Sequence, residues 1–154
     1  MTIVETKDLG RASAILEPGH GRPVAGRVML DYEARCLRRK RLRTTDGAGF
    51  LVDLPQTISL APNAAFALED GRAVEVTEAR EPVLRIMGDL PRLAWHIGNR
   101  HCPCEIHRDH LVIRADPVLE AMLDQLGADT TRSFAPFRPE GGAYGHGRTF
   151  GHTH

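Results

Sequence analysis

The 154-residue sequence reads as α+β, with an all-β first domain over residues 1–79, a mixed domain over 80–138 and a flexible His-containing tail over 139–154. Three observations lead there. Short alternating apolar runs separated by turn residues fill the first half. Two amphipathic helical stretches, each opened by Asp and Pro, interrupt strand-like runs in the second. From Pro139 onward, Gly, His and small polar residues dominate, and such chain buries too little apolar surface to order itself.

Before Gly26, short apolar runs mix with Glu17-Pro18-Gly19-His20-Gly21-Arg22-Pro23. That is turn chemistry, and strand–loop–strand or partial disorder is expected. Val28, Leu30 and Tyr32 alternate at period two, as in a half-buried strand. Arg35, Arg38, Arg39, Lys40, Arg41 and Arg43 then surround Leu37 and Leu42. This cluster is either a docking surface for an acidic partner or the solvated edge of a strand, charged against aggregation; composition favours the edge. Asp46-Gly47-Ala48-Gly49 is a hairpin turn leading into a strand over 50–54. Ile58, Leu60, Phe66, Leu68, Val74 and Val76 continue as short strands broken at Pro55, Pro62 and Asp70-Gly71. A domain boundary is expected near Ala79 to Pro82.

The second domain begins with a strand over 83–87. A helix over 90–99 follows, with Asp89 as its cap and Pro91 tolerated in its first turn. Leu90, Leu93, Ala94 and Ile97 form its apolar stripe, and Pro103 prevents it from continuing. Residues 104–107 and 111–114 read as two strands around Arg108-Asp109-His110. Asp116 caps a second helix with Pro117 at its first position. Val118, Leu119, Met122, Leu123 and Leu126 line its buried face, Gly127 stops it, and 130–137 supplies a last strand. The order βαββαβ is the ferredoxin-like split motif.

The metal-capable residues cluster at the end of the first helix, in His96-Ile97-Gly98-Asn99-Arg100-His101-Cys102-Pro103-Cys104. Continuing the helical period puts His101 on the apolar stripe, whereas His96 lies roughly 140° away around the axis. The two cannot chelate one ion as an i, i+4 pair would. His101 is either a partly buried imidazole satisfied at a helix terminus or a metal ligand at an interface, needing partners from elsewhere or from a second copy. His152-x-His154 is a familiar metal-capturing pattern on flexible chain, or else an inert polar tail; neutral imidazole suits nickel, copper and zinc. Cys102-x-Cys104 lacks zinc-knuckle spacing and a second pair, and reads first as packing. His107 and His110 read as surface polar residues.

Gly98-Asn99-Arg100-His101, preceded by His96-Ile97, resembles the signature of the urease accessory nickel chaperones, the UreE family. Asp116-Pro117-Val118-Leu119-Glu120, Gly127, Phe137-Arg138-Pro139-Glu140 and Gly142-Ala143-Tyr144 stand in that family's order, as do Thr44-Thr45-Asp46, Asp53-Leu54-Pro55 and Leu68-Glu69-Asp70-Gly71 upstream. The resemblance implies a ferredoxin-like second domain that dimerises and binds metal, and a partner-binding first domain. It implies His101 as the interfacial nickel ligand, assisted by the C-terminal His152 and His154. Ni(II) is then bound cargo, with Zn(II) or Cu(II) competing for the same donors, and the partners are a second copy, the urease apoprotein and its accessory proteins, including the accessory GTPase. Where other members carry extra histidines before the second helix, this chain has Ala115, Asp116 and Pro117.

Composition narrows the alternatives. Lys plus Arg and Asp plus Glu both number 20, which argues against coating nucleic acid or an anionic membrane. No window approaches the ~18 apolar residues of a membrane span, residues 1–5 do not resemble a signal peptide, and three cysteines make no disulfide framework. A reducing cytoplasm is expected. Nothing matches an enzyme motif such as His-Glu-x-x-His or a phosphate-cradling loop, so no catalysis is expected. The rival reading is a ferredoxin-like RNA- or protein-binding module using the 35–43 cluster; its strands lack the aromatics that stack bases.

Overall fold

A computed structural model describes residues 7–141, and the chain divides into two compact units, Met1–Glu78 and Ala79–His154. In the first unit β1 (Asp8–Leu16), β2 (Val24–Leu30), β3 (Cys36–Arg43), β4 (Gly49–Ser59), β5 (Ala65–Leu68) and β6 (Ala73–Glu78) build one sheet, ordered β2-β6-β5-β1-β4-β3. The β1–β4 and β2–β6 pairs are parallel and the others antiparallel. Period-two alternation sends Phe50, Val52 and Leu54 of β4 inward, where they join Val28, Leu30, Leu42, Phe66 and Leu68.

The strand β4 runs straight through Pro55, where the sequence pattern places a break. The reason lies in its neighbour. Register slips between Leu37, opposite Ile58, and Arg39, opposite Asp53, so β4 carries extra residues at a bulge. A proline there forfeits no ladder hydrogen bond.

The basic cluster separates into two kinds of residue. Arg35 is buried, donates to the Leu30 carbonyl at 3.2 Å, and lies 3.8 Å from the buried Glu78 carboxylate. It is a core ion pair, not a member of a surface patch. Arg38, Arg39, Lys40, Arg41 and Arg43 are exposed along β3, an edge strand of the sheet, as the solvated-edge reading expects.

In the second unit β7 (Glu81–Met87), α1 (Leu90–Asn99), β8 (Glu105–Ile106), β9 (Leu111–Arg114), α2 (Pro117–Gln125) and β10 (Asp129–Ala135) follow in βαββαβ order. The sheet is antiparallel and ordered β10-β7-β9-β8, the ferredoxin-like arrangement. Both helices cover one face: Leu84, Ile86, Leu111 and Ile113 of the strands pack with Leu93 and Ile97 of α1 and Leu123 of α2.

Three local expectations change. Asp89 occupies the N-cap position of α1 at φ −75°, ψ 86°, and its side chain makes no cap hydrogen bond. Asp116, with extended backbone, does cap α2, accepting from the N–H groups of Val118 and Leu119. Val118 is 70% exposed, because it sits roughly 140° around α2 from the fully buried Leu123. Finally, β10 ends at Ala135, and Phe137 is fully buried beyond the strand.

Candidate metal centre

His101 stands at the C-terminus of α1, but not on its apolar stripe. The helix ends at Asn99 with Arg100 as C-cap, and His101 turns into the left-handed region at φ 56°. The His101 N–H donates to the Gly98 carbonyl at 3.0 Å, and the Cys102 N–H donates to the Ile97 carbonyl at 3.3 Å. That pair of bonds is a Schellman motif, which satisfies carbonyls the helix end leaves over. Once the chain leaves the helix the 3.6-residue period no longer applies. The imidazole therefore projects from an exposed residue instead of joining Leu93 and Ile97 in the core.

The second helix shows what the position ordinarily calls for. At the end of α2 the Gly127 N–H donates to the Asp124 carbonyl at 3.1 Å and the Ala128 N–H to the Leu123 carbonyl at 3.0 Å. The same motif there uses glycine, at φ 79°. In α1 a histidine fills the equivalent place, at a conformational cost of about 1–2 kcal/mol for a residue with a Cβ.

Cys102 and Cys104 pack against the core beneath the helices. Burial pushes the Cys102 thiol up, and burial with the neighbouring Cys102 pushes that of Cys104 up to about 12. Both therefore sit as protonated, weakly polar packing groups in the metal-free chain.

His107 and His110 flank the β8–β9 turn with stacked rings, centroids 4.3 Å apart. His107 Nε2 lies 2.8 Å from the Glu105 carboxylate and His110 Nδ1 lies 2.7 Å from that of Asp109, which holds the Asp109 carboxyl below its usual range. Each imidazole is committed to a local carboxylate.

The residues after β10 return toward this corner. The Arg138 N–H donates to the Glu105 carboxylate at 2.6 Å, and the Glu140 N–H donates to the Cys104 carbonyl at 2.9 Å. The last described residues are thus bonded to positions three and four residues after His101 in the sequence. His146, His152 and His154 lie outside the described residues. Among the described residues no three His, Cys, Asp or Glu side chains stand together as a metal site. A site built on His101 requires donors from beyond them.

The two units correspond to two known domains. Residues 9–79 match the family model described as UreE urease accessory protein, N-terminal domain, and residues 75–154 match that of its C-terminal domain. The chain belongs to the UreE urease accessory protein family. A urease accessory protein UreE from Rhodobacter capsulatus is 59% identical over 94% of this chain and 92% of its own length. That from Cereibacter sphaeroides is 56% identical over 96% of this chain and 81% of its own, and that from Paracoccus denitrificans 61% identical over 82% of each. The UreE assignment covers both units, and it leaves the RNA-binding alternative without support. Among the described residues no helix is long and apolar enough to cross a membrane.

Proposed function

We propose that this UreE-family chain is a nickel metallochaperone that delivers Ni(II) to the urease apoprotein assembly complex and performs no catalysis. In this reading it works in the cytoplasm as a homodimer, with His101 of each copy meeting at the interface and the C-terminal His152 and His154 completing the coordination. The urease apoprotein and its accessory proteins, including the accessory GTPase, are the recipients, and the first unit serves as the partner-binding domain.

The observation that carries the proposal is the conformation of His101. A histidine occupies the left-handed end of a helix where its sister helix has glycine, and the residue is exposed. A lone imidazole cannot hold a divalent ion, so a symmetric partner is the economical source of a second. Trp95, 64% exposed on α1, supplies apolar surface for such a contact. Supporting the tail's role, the chain's last described residues are bonded beside Cys104. His152 follows Gly141 by eleven residues in the sequence.

A coordination sphere shared between two subunits can be opened by separating its contributors, which suits delivery. Light scattering with and without nickel, alongside calorimetric nickel titration of wild type and His101→Ala, tests the reading. A dimer whose tightest nickel site vanishes in the variant is expected. A monomer under both conditions, or an undiminished site, overturns it.

A further inference from the structure

The cations of β3 exceed what protecting a sheet edge requires. β3 is eight residues long and exposes Arg38, Arg39, Lys40, Arg41 and Arg43. The second unit provides a comparison. Its edge strand β10 pairs with β7 over seven residues without a bulge, yet carries only Asp129 and Arg132 as charges. Arg132 is moreover bonded to Glu120 at 2.8 Å. An edge of nearly the same length is thus left almost uncharged, whereas β3 carries five cations.

Those five also lack counter-ions. Arg11, Arg35, Arg72 and Arg132 each meet a carboxylate, but among the described residues none of the β3 cations does. Asp53 stands opposite Arg39 in the ladder, and its carboxylate lies 3.6 Å from Arg11, on the strand at the far side of β4. From Arg39 to Arg43 the pairing with β4 is regular. Arg39, Arg41 and Arg43 therefore share one face, opposite that of the buried Leu42, at intervals of about 7 Å. An edge strand also presents a row of backbone N–H and C=O groups open to a further strand.

We propose that the β3 edge is a docking site for an extended acidic segment of a partner protein, added to the six-stranded sheet as a further strand. Carboxylates at alternate positions of that segment would stand directly beside Arg39, Arg41 and Arg43, since residues opposite one another in a ladder share a face. This deepens the reading of the first unit as the partner-binding domain. The complement comes from another molecule: residues 1–6 and 142–154 together hold one carboxylate side chain, Glu5. A second copy meeting this edge with its own β3 would bring like charges together. Nucleic acid matches the charge but not the rest, because β3 has no aromatic residue on which a base could stack.

The test titrates the full-length protein with a labelled peptide of about nine residues that alternates threonine and glutamate. Fluorescence anisotropy reads the affinity, and amide shifts in NMR locate the site. Saturable binding that weakens with added salt is expected, with shifts concentrated in 36–43. Arg39→Glu/Arg41→Glu should weaken it by about tenfold or more. Arg92→Glu/Arg108→Glu, which makes the same charge change at exposed positions of the second unit, should bind as wild type does. A peptide with proline for each threonine keeps the carboxylates but loses backbone donors, and should bind about tenfold more weakly.

Equal binding of the proline peptide would mean attraction without strand addition and overturn the proposal. So would no binding at millimolar peptide, an equal loss in the second-unit variant, or tighter binding of an oligouridylate of equal charge at the same residues. Should the double reversal not fold by circular dichroism, Arg39→Gln/Arg41→Gln takes its place, with an expected loss of about threefold. Purified urease accessory proteins separate this proposal from the reading it deepens. If they bind wild type and the β3 variant equally, the edge is not the docking site, although the first unit can still bind partners. If they bind neither while the acidic peptide binds β3, the partner-binding reading fails and the edge assignment stands.

Discussion

Replacing His101 by glycine sets stability against function at one atom. The residue sits at φ 56°, where a Cβ is disfavoured by about 1–2 kcal/mol. Glycine removes that cost, but it adds chain freedom to the unfolded state, which returns roughly 0.5–1 kcal/mol. The exposed ring contributes little packing. The metal-free His101→Gly protein should therefore be more stable by about 0.5–1 kcal/mol, a rise of about 1–4 °C in Tm for a chain of this length. His101→Ala keeps the Cβ and should stay close to wild type or fall slightly below it. Thermal unfolding followed by circular dichroism in the presence of a chelator reads the first effect, and nickel calorimetry reads the second. Both variants should lose the tightest nickel site. If His101→Gly melts no higher than His101→Ala, the left-handed strain is not there to be relieved. If either variant keeps the site, the histidine was not placed there for metal.

Further outcomes follow from the same geometry. Gly127→Ala, in the matching motif of α2 where an added Cβ meets nothing within 4 Å, should cost about 1 kcal/mol in denaturant unfolding through backbone strain alone. Arg35→Ala should destabilise by about 3 kcal/mol, because it strands Glu78 in a buried site, while Arg41→Ala on the exposed edge should stay within about 0.5 kcal/mol. The folded-state thiol of Cys104 is raised to about 12, above its unfolded value, so its contribution is intact below about pH 9 and is lost between about 9 and 12. Urea unfolding at pH 8 and pH 10 should show an alkaline loss of about 1 kcal/mol that is absent in Cys104→Ala. A Cys102→Ser/Cys104→Ser protein should keep its tight nickel site; losing it while His101→Ala retains it would reverse the assignment of ligands.

What the sequence made legible, and what it did not, divides along the range of the forces involved. Both helices, the βαββαβ order and the all-β first unit rest on apolar periodicity and turn residues, which act within a few positions. The Pro55 strand was hidden because the tolerance for that proline comes from how β4 pairs with β3, not from β4's own sequence. Arg35 looked like its neighbours because its burial depends on a carboxylate in β6, and the bond from the Arg138 N–H to Glu105 was invisible because the two lie 33 residues apart. His101 is the instructive case. Its identity as the residue to watch was legible, but its placement was not, since a helix end is ordinarily spelled with glycine, as α2 spells it with Gly127. Extrapolating the helical period through a histidine was the natural reading, and it pointed the ring into the core. The chain instead keeps the Schellman turn and puts histidine in the position local preference assigns to glycine. A residue held against its own conformational preference on the surface invites a reason outside the fold. That reasoning reaches the same residue as the family resemblance without using it, and the His101→Gly measurement decides whether it holds.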